Sequence, residues 1–266
     1  MNLLAYIYWG SSPEIFSIGP VSIRWYGLLF SLGFVIGYQI LSWIFKNENK
    51  SQKDLEVLTV FMIIGTVVGA RLGHCLFYEP SYYLANPVEI LKVWKGGLAS
   101  HGAALGILIS LILYCRKVKT INLIWIFDRI VIVIALSACL IRLGNFMNSE
   151  IIGKAASIPW AVVFLRVDHI PRHPAQLYES ISYLILFFIL FFIYRKKKSA
   201  IAPGTLVGIF LTFLFVMRFI LEFFKERQVS FEASLPLDMG QLLSIPFIIT
   251  GIYFLIRARR SLKVKS

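Results

Sequence analysis

The sequence predicts an all-α integral membrane protein with seven transmembrane helices. Its N-terminus is placed outside and its C-terminus in the cytoplasm, with a small extracytoplasmic cap between spans 4 and 5. Three observations carry this. Of the 266 residues, 58% are hydrophobic and only 15% are charged, whereas soluble domains keep charge near a quarter of their residues. Seven stretches come close to the ~20 apolar residues that a spanning helix needs. The basic residues fall in short clusters between those stretches, as membrane topology requires. The formal net charge of +13 is therefore no sign of a nucleic-acid partner.

The elements follow in order, within a single transmembrane domain over 1–266. The N-terminal MNLLAYIYWGSSPEIF is apolar, but Gly10 and Pro13 interrupt it. It is too short to span and is expected to lie along the interface. No Lys or Arg precedes Arg24, so the basic start of a cleavable signal peptide is missing. The spans are Trp25–Phe45, Leu55–Tyr78, Gly97–Cys115, Ile121–Ile141, Leu177–Tyr194, Thr205–Phe224 and Met239–Ile256. Residues 79–96, with Pro80 and Pro87, form a partly helical extracytoplasmic arm. Residues 142–176, with Pro159, Pro171 and Pro174, form the cap, and the stretch WAVVFLRV within them is strand-like.

Orientation follows from the loops. One set of connections carries fifteen Lys and Arg: Lys46, Lys50 and Lys53, Arg116 to Lys119, Arg195 to Lys198, and Arg257 to Lys265. The other carries seven, namely Lys92, Lys95, Lys154, Arg166, Arg172, Lys225 and Arg227. The first set is cytoplasmic. Pairs such as Gly65/Gly69, Gly69/Gly73 and Gly102/Gly106 have the spacing that lets helices approach closely in lipid. Cys75, Cys115 and Cys139 lie in apolar runs and read as small buried hydrophobes.

Ionisable groups inside spans are costly and mark function. His101 lies roughly 6 Å inside the outer boundary of its span, and Arg218 roughly 9 Å from the outer end of the sixth. Arg142 follows the fourth span, Tyr26 opens the first, and Arg71 is in the outer part of the second. Glu222 and Lys225 continue the helix face of Arg218. A shared depth across five spans points to one polar cavity at headgroup level. Arginines there suit a phosphate, and a histidine suits proton transfer near neutral pH. Beside them, RLGNFMNSEIIG (Arg142 to Gly153) is expected to leave the helix and form a binding loop with Asn145, Asn148 and Glu150. In RHPAQLYES, Gln176 and Glu179 are a turn apart and face the same cavity. Asp128–Arg129, near the cytoplasmic end, is a structural pair, and His74 and His169 are structural.

These blocks resemble the bacterial prolipoprotein diacylglyceryl transferase family. RLGNFMNSEIIG is similar to the family signature Gly-Arg-x-Gly/Ala-Asn-Phe-x-Asn-x-Glu-x-x-Gly. GGLASHGAALG, RHPAQLYE and RFILEFF resemble further family blocks in the family order, from VSIRWYGLLFSLGF to LDMGQLLSIP. Ile141 departs from the signature glycine, and HGA stands for the commoner HGG. The resemblance implies transfer of a diacylglyceryl group from phosphatidylglycerol to the lipobox cysteine of a preprolipoprotein, releasing glycerol phosphate. It implies a multi-pass protein of the bacterial inner membrane whose site faces the outer leaflet. His101, Arg142 and Arg218 are then the essential residues, supported by Tyr26, Asn145, Glu150, Gly153 and Glu222. From depth and spacing, Arg71 and Gln176 join the substrate-binding set. No metal-ligand cluster or nucleotide loop is present in the sequence, so no cofactor is expected. The competing readings are a seven-span transporter or receptor for an anionic ligand, and a phospholipid-modifying transferase with another acceptor.

Overall fold

In the computed structural model the chain is mostly helical; the structure describes residues 6–19, 21–93, 96–226 and 236–263. Residues 1–5, Lys95, Arg227 and Lys265, which entered the reading of the termini and loops, lie outside the described residues. The helices are α1 (Trp25–Asn47), α2 (Gln52–Phe77), α3 (Pro80–Ala85), α4 (Pro87–Ile90), α5 (Ser100–Lys117), α6 (Leu123–Asn148), α7 (Ala175–Lys197), α8 (Thr205–Leu221) and α9 (Met239–Lys263). The strands are β1 (Ile7–Trp9), β2 (Glu14–Ile18), β3 (Val21–Arg24), β4 (Val162–Phe164) and β5 (Pro171–Arg172).

Six helices, α1, α2, α6, α7, α8 and α9, are long and apolar enough to cross a membrane. The expected third span, α5, is not among them. It has 18 residues, and His101 in its first turn and Arg116 and Lys117 in its last shorten its apolar part. The arm is helical as expected, in α3 and α4, each with a proline at its start.

Two expectations need correcting. The all-α description misses two small sheets. β1 pairs parallel with β4, and β4 antiparallel with β5, while β2 and β3 form a hairpin. The N-terminal segment thus supplies strands instead of a featureless apolar stretch. Second, RLGNFMN does not leave the helix. α6 runs to Asn148, about two turns past Ile141. Tertiary contact overrides the local signal there. Gly144 gives room to Tyr26, whose Cδ2 would lie 2.8 Å from an added Cβ. Phe146 is buried with Val162 and Phe164 beneath Trp9, Met147 and Ile152. The helix stops only at Ser149 and Ile151, both with left-handed backbone (φ 57° and 56°), where L-residues are disfavoured.

The chain divides into two compact units, Leu41–Ile126 on one hand and Met1–Ile40 with Phe127–Ser266 on the other. In the first, α2 and α5 meet backbone to backbone. An added Cβ at Gly69 would strike Gly102 O, one at Gly106 would strike Gly65 O, and one at Gly73 would sit 2.7 Å from Gly102 Cα. Arg71, almost wholly buried, holds the arm to α2. Its guanidinium donates to the carbonyls of Ile90 (2.9 Å), Glu89 (2.6 Å), Gly96 (2.6 Å) and Gly97 (3.2 Å), and it lies over the Tyr83 ring. Gly96 and Gly97 have φ of 88° and 69°, and a Cβ on Gly97 would press on the His74 ring at 2.6 Å. Glycine is required there on both grounds.

In the second unit, Gly33 and Gly37 of α1 fit against Ser137 and Val133 of α6, and Gly208 of α8 against Gly251 of α9. Asp128, fully buried in α6, accepts from the backbone N–H groups of Gly204 (2.7 Å) and Val207 (3.0 Å). It caps α8 from a neighbouring helix and satisfies two donors that a helix start leaves open. Its contact with Arg129 is longer, 3.9 Å. The structural role expected of this pair is seen for Asp128 in its cap of α8.

Gly106→Val should damage the fold, because the atoms it strikes are backbone and cannot rotate away; overpacking of this kind costs about 1–3 kcal/mol. Thermal unfolding in detergent should show a clear fall in Tm. Gly27→Ala, where an added Cβ meets nothing within 4 Å, should leave Tm unchanged or slightly raised.

Candidate active site

The end of α6, the start of α7 and the end of α8 supply the polar side chains of the second unit. Helical spacing sets them in register: Arg142 and Asn145 on α6, Gln176, Glu179 and Tyr183 on α7, and Arg218 followed by Glu222. Their centre is Glu179, whose side chain is 0% exposed. Arg142 Nε lies 2.9 Å from its Oε2, and Lys225 Nζ 3.1 Å from its Oε1. Lys225 Nζ also donates to Glu222 Oε2 at 3.0 Å. A buried carboxylate requires such partners, since desolvation otherwise disfavours its charge.

A second chain of bonds leads outward from Arg142. Its Nη1 donates to Asn145 Oδ1 (3.3 Å), and Asn145 Nδ2 donates to Glu150 Oε2 (3.3 Å). Asn148 Nδ2 donates to Glu150 Oε1 (3.1 Å), and Gln176 Nε2 to the Glu150 carbonyl (2.6 Å). The Tyr183 hydroxyl lies in the fields of both Arg142 and Arg218. Tyr26 lies in the fields of both Arg142 and Glu150. The guanidinium of Arg218, which is half-buried, makes no hydrogen bond or ion pair to another described residue. Arg142 is thus fixed and Arg218 is open.

Two glycines shape the surroundings. A Cβ on Gly240 would strike the Glu222 carboxylate, and one on Gly153 would strike the His173 carbonyl. Gly153 N–H donates to that carbonyl at 3.1 Å, and Lys154 N–H donates to the carbonyl of Phe224 at 2.8 Å. The chain is therefore laid beside Lys225, with which Gly153 forms a bridge. Arg172 ties the cap segment together by binding Asp168 (2.6 Å) and Glu226 (2.6 Å). The Arg172 hydrogen bond holds the Asp168 carboxyl below the usual carboxylate range. His173 packs on Phe224 and Tyr178, and burial pushes its imidazole below the ordinary 6.5.

Of the residues expected from sequence, Tyr26, Arg142, Asn145, Glu150, Gly153, Gln176, Arg218 and Glu222 all belong to this unit, and contacts or fields link each to the network. His101 and Arg71 belong to the other unit. His101 stands exposed in the first turn of α5 without a hydrogen bond or ion pair to another described residue. The donors of Arg71 are directed to backbone carbonyls. The expected set omits Glu179, Tyr183 and Lys225. Spacing had signalled two of them: Glu179 is one turn past Gln176, and Lys225 one turn past Glu222. Among the described residues no group of three or more His, Cys, Asp or Glu could hold a metal ion.

The family profile of prolipoprotein diacylglyceryl transferase matches residues 13–257. The chain belongs to this family. It is 50% identical over 258 residues to the phosphatidylglycerol–prolipoprotein diacylglyceryl transferase of Chloroherpeton thalassium, covering 97% of this chain and 96% of that protein. The proteins of the same name from Tolumonas auensis and Bacteroides fragilis are 47% and 48% identical, with at least 94% of each chain covered. As a member of a diacylglyceryl transferase family, the chain has a concrete reason to gather cations: its family's donor is a lipid.

Glu179→Ala would leave Arg142 and Lys225 without their shared anion in a buried place. We expect a loss of about 3–5 kcal/mol of stability, seen as a fall in Tm, while Glu226→Ala, an exposed partner of Arg172 in the connection after α8, should cost under about 1 kcal/mol. For His173 the folded value lies below the unfolded one, so its contribution is intact above pH 6.5 and declines as pH falls from there toward the depressed value. Tm measured between pH 7 and pH 5 should fall less steeply in His173→Gln than in the parent.

Proposed function

We propose that this chain transfers the diacylglyceryl group of phosphatidylglycerol to the cysteine thiol of a prolipoprotein, at a site built around Arg142 and Arg218. The observation that carries the reading is the contrast between the two arginines. Arg142 is immobilised by Glu179 and Asn145, while the guanidinium of Arg218 is unpaired among the described residues. A fixed and an open guanidinium suit a phosphodiester, which takes charge-assisted hydrogen bonds from both. The names of the relatives from Chloroherpeton thalassium and Tolumonas auensis specify the same donor and acceptor.

The acceptor thiolate attacks the glycerol carbon that bears the phosphate. The C–S bond forms as the C–O bond breaks, and the electron pair leaves with glycerol phosphate. Arg142 and Arg218 stabilise the charge that builds on the departing phosphate. Glu179, Glu222 and Lys225 hold Arg142 and the end of α8 in place. Asn145 and Glu150 extend that support, with Gln176 fixing the Glu150 backbone. Tyr26 closes the network beside Gly144, and Gly153 sets the path of the chain. His101 takes the thiol proton, which fits its exposed imidazole in a first turn flanked by small residues. Arg71 acts at one remove by fixing the arm and the Gly96–Gly97 turn that leads into the α5 helix. In this reading α5 is the seventh span, the fifteen-to-seven split of basic residues places the N-terminus outside, and the site faces the outer leaflet. The rival transporter reading needs polar groups along the spans. Asp128 and Arg129, the buried ionic pair far from Arg142 on α6, are held by the α8 helix start and by each other.

The assay combines the purified full chain, phosphatidylglycerol and a cysteine-containing lipobox peptide, and measures glycerol phosphate release and peptide lipidation. Absence of both would falsify the transferase reading. Arg142→Ala and Arg218→Ala should each lower kcat/KM by about a hundredfold or more. His101→Ala should lower the rate at pH 7 and recover part of it at pH 9, where a free thiol of pKa about 8.5 ionises unaided; a pH-independent defect would assign His101 a headgroup-binding role instead.

A further inference from the structure

The second unit contains a cleft of about 560 Å³ into which the reaction just described places no substrate. Its walls carry Ser12, Glu14, Arg24, Asn148, Glu150 and Arg166. They come from the loop after β1, the β2–β3 hairpin, the end of α6 and the turn after β4. The size is that of a site for an extended peptide segment or a small organic molecule. The cleft adjoins the reactive region directly, because Glu150 is bonded to Asn145, and Asn145 to Arg142.

The charge of the walls decides between occupants. Two arginines stand with two glutamates, so the cleft is formally neutral. Arg24 is paired with Glu14 at 3.3 Å, and Glu150 accepts from both asparagines. Only Arg166 makes no ion pair or hydrogen bond to another described residue. A released phosphate would call for surplus positive charge, which this arrangement lacks. A polypeptide is neutral along its backbone and alternates donors with acceptors, matching walls that offer both. A separate feature points the same way. β1 is an edge strand, pairing only β4 among the described residues, and it runs straight into Gly10 at the cleft wall. Its outer edge presents N–H and C=O groups to which an extended chain can add.

We propose that this cleft binds the polar stretch of the acceptor polypeptide beside its cysteine, with Arg166 donating to a carbonyl or carboxylate of that stretch and the β1 edge aligning it. The proposal rests on the transferase reading. It makes the cleft a specificity site, holding the acceptor while its thiol reaches the region of Arg142.

Two synthetic acceptors test it, one ending at the cysteine on its polar side and one continuing for six polar residues. With wild-type protein the long acceptor should show the lower KM. Arg166→Ala, and independently Ser12→Trp, which fills the cleft, should raise the KM of the long acceptor about five- to tenfold, the scale of one lost charge-assisted contact, with kcat unchanged. Both should leave the short acceptor unaffected. Arg166 and Ser12 are exposed, and equal Tm values would exclude misfolding. Equal KM for the two acceptors, or variants that raise KM for both alike, would overturn the proposal. So would variants whose only effect is on inhibition by added glycerol phosphate, which would make the cleft an anion route. If wild-type protein lipidates neither acceptor, the transferase reading itself fails, an outcome separate from the others.

Discussion

One fully buried carboxylate organises the polar end of the larger unit. Glu179 lies at the start of α7 with no exposure, and a charge there is stable only if cations are brought to it. They come from two directions, Arg142 from α6 and Lys225 from the chain after α8. The ion pairs therefore fix where three helices end relative to one another. Other features follow from that arrangement. Lys225 can reach Glu179 only if the chain beyond α8 is drawn against residues 152–154, which Gly153 permits by lacking a side chain. Glu222 can share Lys225 only because Gly240 leaves room for its carboxylate.

The smaller unit shows a different solution. Its centre is a backbone contact between α2 and α5, where glycines on both helices remove every atom that would hold them apart. Arg71 then fastens the arm by its carbonyls, and the arm ends at Gly96 and Gly97 beside His74. The first turn of α5 is fixed on both sides by packing and by backbone bonding. His101 inherits a defined place, and its imidazole makes no hydrogen bond to another described residue, as the proposed role of proton acceptor requires.

The spans were legible because hydrophobicity is a local property, and six helices long and apolar enough to cross a membrane overlap six of the expected stretches, α6 and α9 running about two turns further. The strand at Val162–Phe164 was legible for the same reason. Its partner Ile7–Trp9 was not, since pairing across more than 150 residues leaves no local trace. The extension of α6 to Asn148 escaped because Asn145, Asn148 and Gly144 weaken a helix locally, while burial of Phe146 and the Tyr26–Gly144 contact sustain it. For the site, depth within the spans singled out Arg142, Arg218, Tyr26 and Glu222, which all lie in one compact unit. Depth alone could not separate Arg71 from them. What distinguishes Arg71 is the four carbonyl contacts, which depend on how the arm folds back. Lys225 was undervalued because it falls in a connection, where a lysine ordinarily serves solvation.

The charged groups around Glu179 have an uneven count, and the imbalance has a consequence. Arg142, Lys225 and Arg218 stand against Glu179 and Glu222. The two carboxylates are shared by Arg142 and Lys225, so the surplus positive charge falls on Arg218. In a poorly solvating environment an unpaired cation is costly, and the cost is relieved when a singly charged anion arrives. A phosphodiester carries one negative charge and supplies that relief. As the C–O bond breaks, the phosphate gains further charge, and interaction with a fixed guanidinium on one side and an open one on the other strengthens as it does so. Under the proposed roles of the two arginines, the stabilisation is greater for the transition state than for the bound lipid, which is the condition for acceleration rather than mere binding. In the proposed reaction Glu179 therefore acts indirectly, by pairing with Lys225 and immobilising Arg142, while the Arg218 guanidinium has no partner among the described residues.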